Sequence, residues 1–344
     1  MLAAVMRGSR IDVQELSDPA PGAGQVLIAP HATGICGSDL HFRQVLADLA
    51  ARSPDAPAAS IVPGHEFAGE VVAIGPETVT DLVPGDLVTA NPFTRGAAGP
   101  ETIGLSPTFG GALAELTVAD ASRTVKLPEG LDTRLGALCE PVAVAVHAFA
   151  RAAGRGPLVV VGAGPIGLSV VAVAVVAGRH PGIVVEPSPV RRDMALRLGA
   201  DAAHAPGPAM AEMLEQCGFG PSTISPLLDG EPATATIVEC VGIPEVVQAI
   251  LAEAPAHSRV VLAGACLQPV EVSPVQLTTS EISIETCFAY RPDEFRTAAT
   301  HISTHPDLFG TLVTSEHPLQ ATEAAFDALA SQPAEAKILI RPQR

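Results

Sequence analysis

The sequence contains no tryptophan and a single tyrosine, and aromatic residues make up only 3% of its 344 positions. Apolar residues nevertheless reach 47%, so we expect a hydrophobic core built from Ala, Val, Leu and Ile. A chain of this length predicts about two domains, each able to bury a core of its own. No fixed-period repeat is visible, which argues against a repeat architecture.

Basic residues are also scarce, because 20 Lys and Arg oppose 37 Asp and Glu, for a formal net charge of −17. This balance makes nucleic acid or an anionic membrane an unfavourable partner. Residues 1–8 are too short for a signal peptide and continue into a strand-like pattern. The six cysteines are scattered without the spacing of a disulfide framework, which favours a reduced cytoplasm over secretion.

Residues 157–186 have the pattern of a dinucleotide-binding unit. A short β-branched strand, expected to be buried on both faces, is followed by a glycine-rich turn and an apolar helix. A second strand then ends in an acid, and this context makes the turn far more specific than an isolated Gly-rich motif. The predicted cofactor-binding residues of this unit are Gly162, Gly164, Pro165, Ile166, Gly167 and Glu186.

Each glycine of the turn has a physical role in this interpretation. Gly162 permits the tight turn, Gly164 lets the backbone approach a pyrophosphate, and Gly167 lets the helix pack on the strand. The helix N-terminus offers free N–H groups and a partial positive charge to the phosphates. Glu186 comes where a carboxylate accepts hydrogen bonds from ribose hydroxyls, which favours NAD over NADP because a 2′-phosphate would be repelled.

Other interpretations of this region stay open at the sequence level. Residues 158–177 carry no charge and are long enough for a transmembrane helix, although glycines and a proline crowd their first half. A glycine-rich packing turn without a ligand is a second alternative, and Glu186 argues against it. Arg191 and Arg192 either form a solvated helix face or clamp a 2′-phosphate, and the second role would select NADP.

The remainder of the chain predicts a β-rich first part and an alternating second part. Short antiparallel strands are expected within residues 1–35, and residues 91–111, rich in Gly, Pro and Thr, are expected to be a loop. The later strands complete a doubly wound parallel sheet. Further strands are predicted near 71–75, 86–90, 112–118, 235–240, 259–263, 282–286 and 337–340, and amphipathic helices near 293–303 and 319–331.

Four motifs occur in a characteristic order along the chain. They are Gly-Ile-Cys-Gly-Ser-Asp-Leu-His at 34–41, Gly-His-Glu-Phe-Ala-Gly at 64–69, Cys-Glu-Pro at 139–141, and the glycine-rich turn. With this order, the sequence resembles the zinc-dependent medium-chain dehydrogenases/reductases of the alcohol dehydrogenase superfamily nearly from end to end. The branch it resembles most contains the sorbitol, threonine and butanediol dehydrogenases.

The resemblance implies the domain organisation and part of the cofactor site. A GroES-like, β-rich catalytic domain is expected over 1–142 and a Rossmann NAD-binding domain over 143–285. Residues 286–344 are expected to return to the catalytic domain. Family-like stretches also add Cys240, Val241, Gly264 and Arg191 to the expected cofactor contacts.

The resemblance further implies one catalytic zinc, which takes about three protein ligands and keeps one position open. Cys36 supplies a thiolate and His65 an imidazole. Glu140 lies where the family has its third ligand or an acidic equivalent, whereas Glu66 can approach the metal directly or from outside its ligand shell, so both stay candidates. Asp39 is suited to hold the second ring nitrogen of His65.

Two cysteine observations qualify this metal site. Cys139 is a competing ligand, ranked below Glu140 because Glu-Pro is the pattern of the branch. Many family members carry four closely spaced cysteines for a structural zinc, and the corresponding residues 91–111 contain none. We therefore expect one zinc per chain. The resemblance also implies a homodimer or homotetramer, although residues 91–111, which in the family often take part in subunit contacts, would lack the structural zinc.

The implied enzyme oxidises a secondary alcohol or polyol with NAD, reversibly giving a ketone. Ser38, His41 and Glu66 are its expected catalytic residues, and a proton relay would run from the substrate through Ser38, then cofactor ribose hydroxyls or water, to His41. The alternatives are a zinc-free quinone or enoyl reductase of the same fold and a non-catalytic cofactor-binding protein. Neither the particular alcohol nor a role for the Pro- and Gly-rich segment 217–232 follows from the sequence.

Overall fold

The structure is a computed structural model that describes residues 1–52, 59–96, 99–153, 156–179, 182–207, 212–213, 234–332 and 334–343. The chain divides into two compact units. Unit 1 comprises Met1–Glu140 and Phe295–Arg344, and unit 2 comprises Pro141–Glu294. Unit 2 extends past the expected boundary at 285 because later residues still pack on it, as when Glu294 pairs with His147 at 3.0 Å.

Strands predominate up to α2, and strands and helices alternate along much of the rest of the chain. The strands are β1 (Leu2–Arg7), β2 (Arg10–Glu15), β3 (Gln25–Gly34), β4 (Ser60–Ile61), β5 (Glu66–Ile74), β6 (Leu87–Ala90), β7 (Phe93–Gly96), β8 (Gly99–Thr102), β9 (Thr117–Asp120), β10 (Thr124–Lys126), β11 (Leu158–Val161), β12 (Ile183–Val185), β13 (Ala202–His204), β14 (Thr236–Glu239), β15 (Arg259–Leu262), β16 (Ser283–Thr286), β17 (Val313–Pro318) and β18 (Lys337–Arg341). The helices are α1 (Gly37–Arg52), α2 (Thr133–Gly136), α3 (Cys139–Arg151), α4 (Pro165–Val176), α5 (Pro189–Arg197), α6 (Pro244–Glu253), α7 (Pro274–Ser280), α8 (Pro292–Thr304), α9 (Pro306–Gly310) and α10 (Thr322–Ser331).

Unit 1 is built on a mostly antiparallel sheet in the order β10-β6-β5-β3-β18-β17, in which β17 and β18 pair in parallel and β9 also pairs with β3. A smaller sheet has the order β2-β1-β4. Val26 and Ile28 of β3 meet Phe67 and Val71 of β5 in one buried core, as the alternation of a half-buried strand requires. The C-terminal strand β18 lies between β3 and β17, so the end of the chain completes the sheet of its beginning.

The segment 91–111 is not simply a loop, so the sequence interpretation is wrong there. β7 and β8 form an antiparallel hairpin in which Phe93 pairs with Thr102 and Gly96 with Gly99. Thr94 ties the hairpin to the body of unit 1 through a hydrogen bond of 3.0 Å to Asp120. Gly96, Gly99 and Pro100 lie in this two-stranded ribbon, where the backbone pairing overrides their low strand propensity, whereas residues 103–111 form no strand.

Unit 2 contains a parallel sheet in the order β13-β12-β11-β14-β15-β16 within the described residues. Neighbouring strands are parallel throughout, which confirms the predicted doubly wound sheet. Its strand order reverses between β11 and β14, and ligands of such folds bind at the carboxyl ends of the strands near this point. The glycine-rich turn directly follows β11.

The uncharged stretch 158–177 is divided between a buried strand, a turn and a helix. β11 ends at Val161, Gly162 has a φ of 93°, and α4 starts at Pro165. The stretch is therefore not one membrane helix. In the part of the chain that the structure describes, no helix has both the length and the apolar character needed to span a bilayer. The segment 217–232 lies outside the described residues.

Candidate active site

Two neighbouring strands of unit 1 bring together three side chains that could hold a metal ion. β3 ends at Gly34, two residues before Cys36, and β5 begins at Glu66, directly after His65. Gly34 and Glu66 are register partners in the antiparallel pair, so these strand ends meet. Cys36, His65 and Glu66 offer ligand atoms that all lie within 4.8 Å of one another, and we call these three residues the donor cluster.

Asp39 and Ser38 lie on opposite sides of the His65 imidazole. The Nδ1 atom is 3.3 Å from Oδ1 of Asp39, and the Nε2 atom is 3.3 Å from the Ser38 hydroxyl oxygen. The second oxygen of the buried Asp39 carboxylate accepts a hydrogen bond of 2.9 Å from the backbone N–H of Cys36. A carboxylate at Nδ1 directs the lone pair of Nε2 to a metal, so the Ser38 hydroxyl stands beside the ligating nitrogen.

The same contacts set the protonation of His65. Burial alone would lower the pKa of His65, but the negative charge of Asp39 and hydrogen bonds with Asp39 and Cys36 raise this pKa well above its ordinary value. Without a metal, the imidazole therefore carries a proton at neutral pH, and metal binding must displace it.

Lys337 contributes a buried positive charge to this region. Its side chain is only 2% exposed, and Nζ donates to the two Glu66 carboxylate oxygens at 2.8 and 2.6 Å and to the carbonyl oxygen of Ile35 at 3.0 Å. Burial lowers the pKa of Lys337, but the charge of Glu66, with further contributions from Cys36 and Glu140, raises it above its ordinary value. The amine therefore stays charged, and its three donors are all used.

The other predicted residues of this region occupy different positions. Within the described residues, Glu140 does not join the donor cluster, although it is buried and its charge acts on Lys337. His41 is exposed on α1, three residues after Ser38. Burial raises the pKa of the Cys139 thiol to about 12, so this competing ligand is a neutral core residue.

The glycine-rich turn of unit 2 has the conformation of a phosphate-binding loop. Gly162 adopts a φ of 93°, which L-residues with a side chain rarely adopt. A Cβ on Gly164 would meet nothing within 4 Å, so open space lies over the N-terminus of α4, where Pro165 and Ile166 form the first turn. Gly167 packs against the carbonyl oxygen of Gly162, so a side chain there would separate the helix from the strand.

Glu186 lies directly after β12 and is 4% exposed. Its Oε2 accepts a hydrogen bond of 2.8 Å from the N–H of Ala163, and its Oε1 accepts one of 2.8 Å from the N–H of Ser188. The carboxylate thus joins the glycine-rich turn to the start of α5. Each oxygen has a second lone pair, which can accept a ribose hydroxyl.

The two arginines after Glu186 interact with the polypeptide backbone in this region. The N–H of Arg191 donates to the Ser188 hydroxyl at 3.3 Å, and Ser188 is the N-cap of α5, as its sequence position predicts. Arg192 donates through Nη1 to the carbonyl oxygens of Glu186 and Pro187 at 2.8 and 2.7 Å. The Arg192 guanidinium therefore buttresses the turn after β12.

The turns after β14 and β15 hold further predicted cofactor residues, with Cys240 and Val241 beside Gly162 and Gly264 beside Glu239. A Cβ on Gly162 would lie 2.6 Å from the Val241 side chain and 3.4 Å from the Cys240 backbone. A Cβ on Gly264 would lie 2.6 Å from the Glu239 carboxylate. Oε1 of Glu239 accepts hydrogen bonds of 2.6 and 2.7 Å from the N–H groups of Val241 and of the glycine after it, which fixes the turn.

Sequence reasoning missed Lys337 and Glu239. Glu239 is an acid that closes an apolar strand, and the rule that selects Glu186 would have selected it too. Lys337 opens an apolar strand, but its partner Glu66 is 271 residues away along the chain. No local pattern marks such a pair.

Two family models match the chain, one in unit 1 and the other mainly in unit 2. Residues 22–129 match the alcohol dehydrogenase GroES-like domain, and residues 165–304 match the zinc-binding dehydrogenase domain. The chain belongs to the zinc-dependent medium-chain dehydrogenase/reductase family, in the branch of sorbitol and butanediol dehydrogenases. It is an oxidoreductase of the alcohol dehydrogenase type, which confirms the resemblance carried by the four motifs.

Relatives cover nearly the whole chain. A sorbitol dehydrogenase of Ovis aries is 30% identical over 326 residues, covering 90% of this chain and 87% of its own, and one of Halalkalibacterium halodurans is 31% identical over 350 residues, covering 96% and 95%. The crystal structure of 2R,3R-butanediol dehydrogenase from Bacillus subtilis has a TM-score of 0.82 at 28% identity, covering 99% of both chains. Family membership implies zinc and a nicotinamide dinucleotide as cofactors.

Proposed function

We propose that this protein oxidises a secondary alcohol or polyol to the ketone with one catalytic zinc and NAD, reversibly. The donor cluster beside the Ser38 hydroxyl is the observation that carries the proposal, because a metal-binding set and a proton-transferring group stand together there. The names of the relatives, sorbitol and butanediol dehydrogenases, support a small alcohol or polyol as substrate.

The chemistry of the donor cluster fits zinc. A thiolate, an imidazole and a carboxylate are all zinc ligands, so Cys36, His65 and Glu66 would hold the ion. Bound zinc supplies Lewis-acid polarisation of the alcohol oxygen and lowers the pKa of the hydroxyl. A single zinc per chain is supported by the absence of cysteine from residues 91–111.

Ser38 and His41 are the proposed route of the proton that alcohol oxidation releases. A hydroxyl accepts one hydrogen bond while it donates another, so Ser38 can pass a proton on. His41 lies three residues later on α1 and is exposed, and residues at this spacing lie on the same side of a helix. The exposed imidazole of His41 can pass a proton on to water.

NAD is the proposed dinucleotide. The open space over Gly164 and the helix N-terminus suits a pyrophosphate, and the buried Glu186 carboxylate suits ribose hydroxyls and opposes a 2′-phosphate. We expect a kcat/KM ratio that favours NAD, and a weaker preference in Glu186→Ser. A wild-type ratio that favours NADP would refute the assignment and promote Arg191.

A homodimer through the edge strand β16 is the proposed assembly. The N–H groups of Ser283 and Cys287 point to β15, so those of alternate residues such as Ile284 point away from the sheet. Large apolar side chains are exposed in the segments before and after this strand, including Val275 at 69% and Phe288 at 87%. An edge strand flanked by apolar surface is suited to pair with a second copy.

A reducing cytoplasm is the proposed location. The five cysteines within the described residues, Cys36, Cys139, Cys240, Cys266 and Cys287, are all free thiols.

The deciding experiment measures zinc content and NAD reduction by the purified protein with a panel of secondary alcohols and polyols. We expect one zinc per chain and turnover of at least one member of the panel. Cys36→Ser should lose zinc and turnover while remaining folded, and Cys266→Ser, outside the cluster, should keep both. Turnover in a zinc-free protein would favour a quinone or enoyl reductase, and dinucleotide binding without any turnover would favour a non-catalytic protein.

A further inference from the structure

All three N–H donors of Lys337 form hydrogen bonds at or next to the donor cluster. Two of its three N–H donors go to the Glu66 carboxylate and the third to the Ile35 carbonyl, one residue before Cys36. Glu66 is completely buried and Lys337 nearly so. The pair is therefore shielded from water, and its attraction is much stronger than that of a surface ion pair.

The backbone of three adjacent strands is built to hold this pair. Gly34 on β3 is the register partner of Glu66 on β5 and of Leu339 on β18, and Lys337 lies two residues before Leu339. A Cβ on Gly34 would overlap the Glu66 carboxylate. The missing side chain at this position leaves the room in which the carboxylate meets the lysine.

Two cations would therefore compete for the two carboxylate oxygens of Glu66. One comes from the Lys337 ammonium, and the other from a metal bound with Cys36 and His65, whose ligand atoms lie within 4.8 Å of it. A carboxylate that forms two charge-assisted hydrogen bonds to a buried lysine is a weaker ligand than a free one. The positive charge of the lysine also opposes a nearby divalent cation.

We propose that Lys337 is a positioning residue that keeps Glu66 a weak, displaceable metal ligand and so preserves a coordination position for the substrate. This inference rests on the proposed zinc-dependent function. It predicts a different change in zinc affinity on loss of Lys337 from the change that a purely structural role predicts. If Lys337 only stabilised the fold, its loss would leave zinc affinity unchanged or lower it. If Lys337 restrains Glu66, its loss leaves the metal as the only cation for that carboxylate, and zinc affinity rises.

The test compares Lys337→Met, which keeps the length of the side chain without its charge, with Lys337→Arg, Glu66→Gln and the double variant Lys337→Met/Glu66→Gln. Zinc affinity is measured by chelator competition on metal-stripped protein, and the visible absorption spectrum is recorded after loading with Co²⁺. We expect Lys337→Met to bind zinc about tenfold more tightly or better, a change of the usual size for an outer partner but opposite in sign to the usual loss. Its cobalt spectrum should change because Glu66 coordinates firmly, and Lys337→Arg should resemble the wild type.

The double variant makes the test independent of the folding of Lys337→Met, because it removes both buried charges at once. We expect the double variant to bind zinc somewhat more tightly than Glu66→Gln, but by less than Lys337→Met exceeds the wild type, since without the Glu66 carboxylate only the direct repulsion by the lysine is removed. Unchanged or weaker zinc binding by folded Lys337→Met, or a large further loss in the double variant, would overturn the inference. A wild-type protein that binds no zinc would instead overturn the proposed function.

Discussion

Ser38 is the residue on which the proposed proton transfer depends, because its hydroxyl lies 3.3 Å from Nε2 of His65. Ser38→Ala should reduce turnover by about 100-fold or more, as loss of general acid–base help does, while zinc and NAD still bind. His41→Gln should have a smaller effect, largest at low pH and partly rescued by imidazole buffer. Near-normal turnover of Ser38→Ala across the pH range would remove the support for the relay.

The raised pKa of His65 makes zinc uptake sensitive to acid. Because Asp39 raises this pKa in the metal-free site despite burial, zinc must displace a proton at neutral pH, and its affinity should fall as pH decreases below the raised pKa. Chelator competition between pH 6 and 9, a range of about three units around neutrality, measures this. Asp39→Asn keeps the shape but lowers the pKa of His65, so the proton-dependent loss should move to lower pH. An unshifted profile in Asp39→Asn would contradict the assignment.

At the scale of elements, we expect the glycine-rich turn to need Gly162 for folding and Gly164 for cofactor binding. Gly164 has ordinary backbone angles and open space around it, whereas Gly162 has a φ of 93° and a crowded Cβ position. Gly164→Ala should leave the thermal midpoint nearly unchanged but weaken NAD binding, because its methyl group enters the space proposed for the pyrophosphate. Gly162→Ala should lower the unfolding free energy by about 1–3 kcal/mol. Calorimetry and NAD titration on both variants check this, and equal effects would contradict it.

The sequence predicted those elements that are specified by residues close together along the chain. The strand, the turn and the acid of residues 157–186 follow from spacing alone. The hairpin of β7 and β8 was not predicted because its backbone pairing outweighs a loop-like composition. The Glu66–Lys337 pair was not predicted because it joins strands that are far apart along the chain. The choice between Glu66 and Glu140 could not be made from the sequence either, and the proximity of Glu66 to Cys36 and His65 within the described residues supports Glu66 as the proposed third ligand.

At the scale of the whole molecule, the exposed edge of β16 predicts the assembly. The wild-type protein should be a dimer or a larger even-numbered oligomer by light scattering after size-exclusion chromatography. Ile284→Lys places a charge on the proposed contact and should shift the population to monomer. Val79→Lys, at a fully exposed position of unit 1, is the matched control and should leave the mass unchanged. A monomeric wild type, or an oligomer that Ile284→Lys does not weaken, would rule out this interface.

The insertion of β18 between β3 and β17 has a consequence for biosynthesis. Lys337 is 302 residues from Ile35, which it contacts, so the ribosome must translate all of unit 2 before unit 1 can finish its sheet. Until then, the end of β3 at Thr33 and Gly34 lacks the partner that β18 will supply, and a nascent chain with an unpaired strand end is prone to pair with other chains. Chaperone binding during translation should therefore fall on the strands of unit 1, and the glutamate of the donor cluster acquires its counter-charge only after Lys337, 271 residues later, has been made.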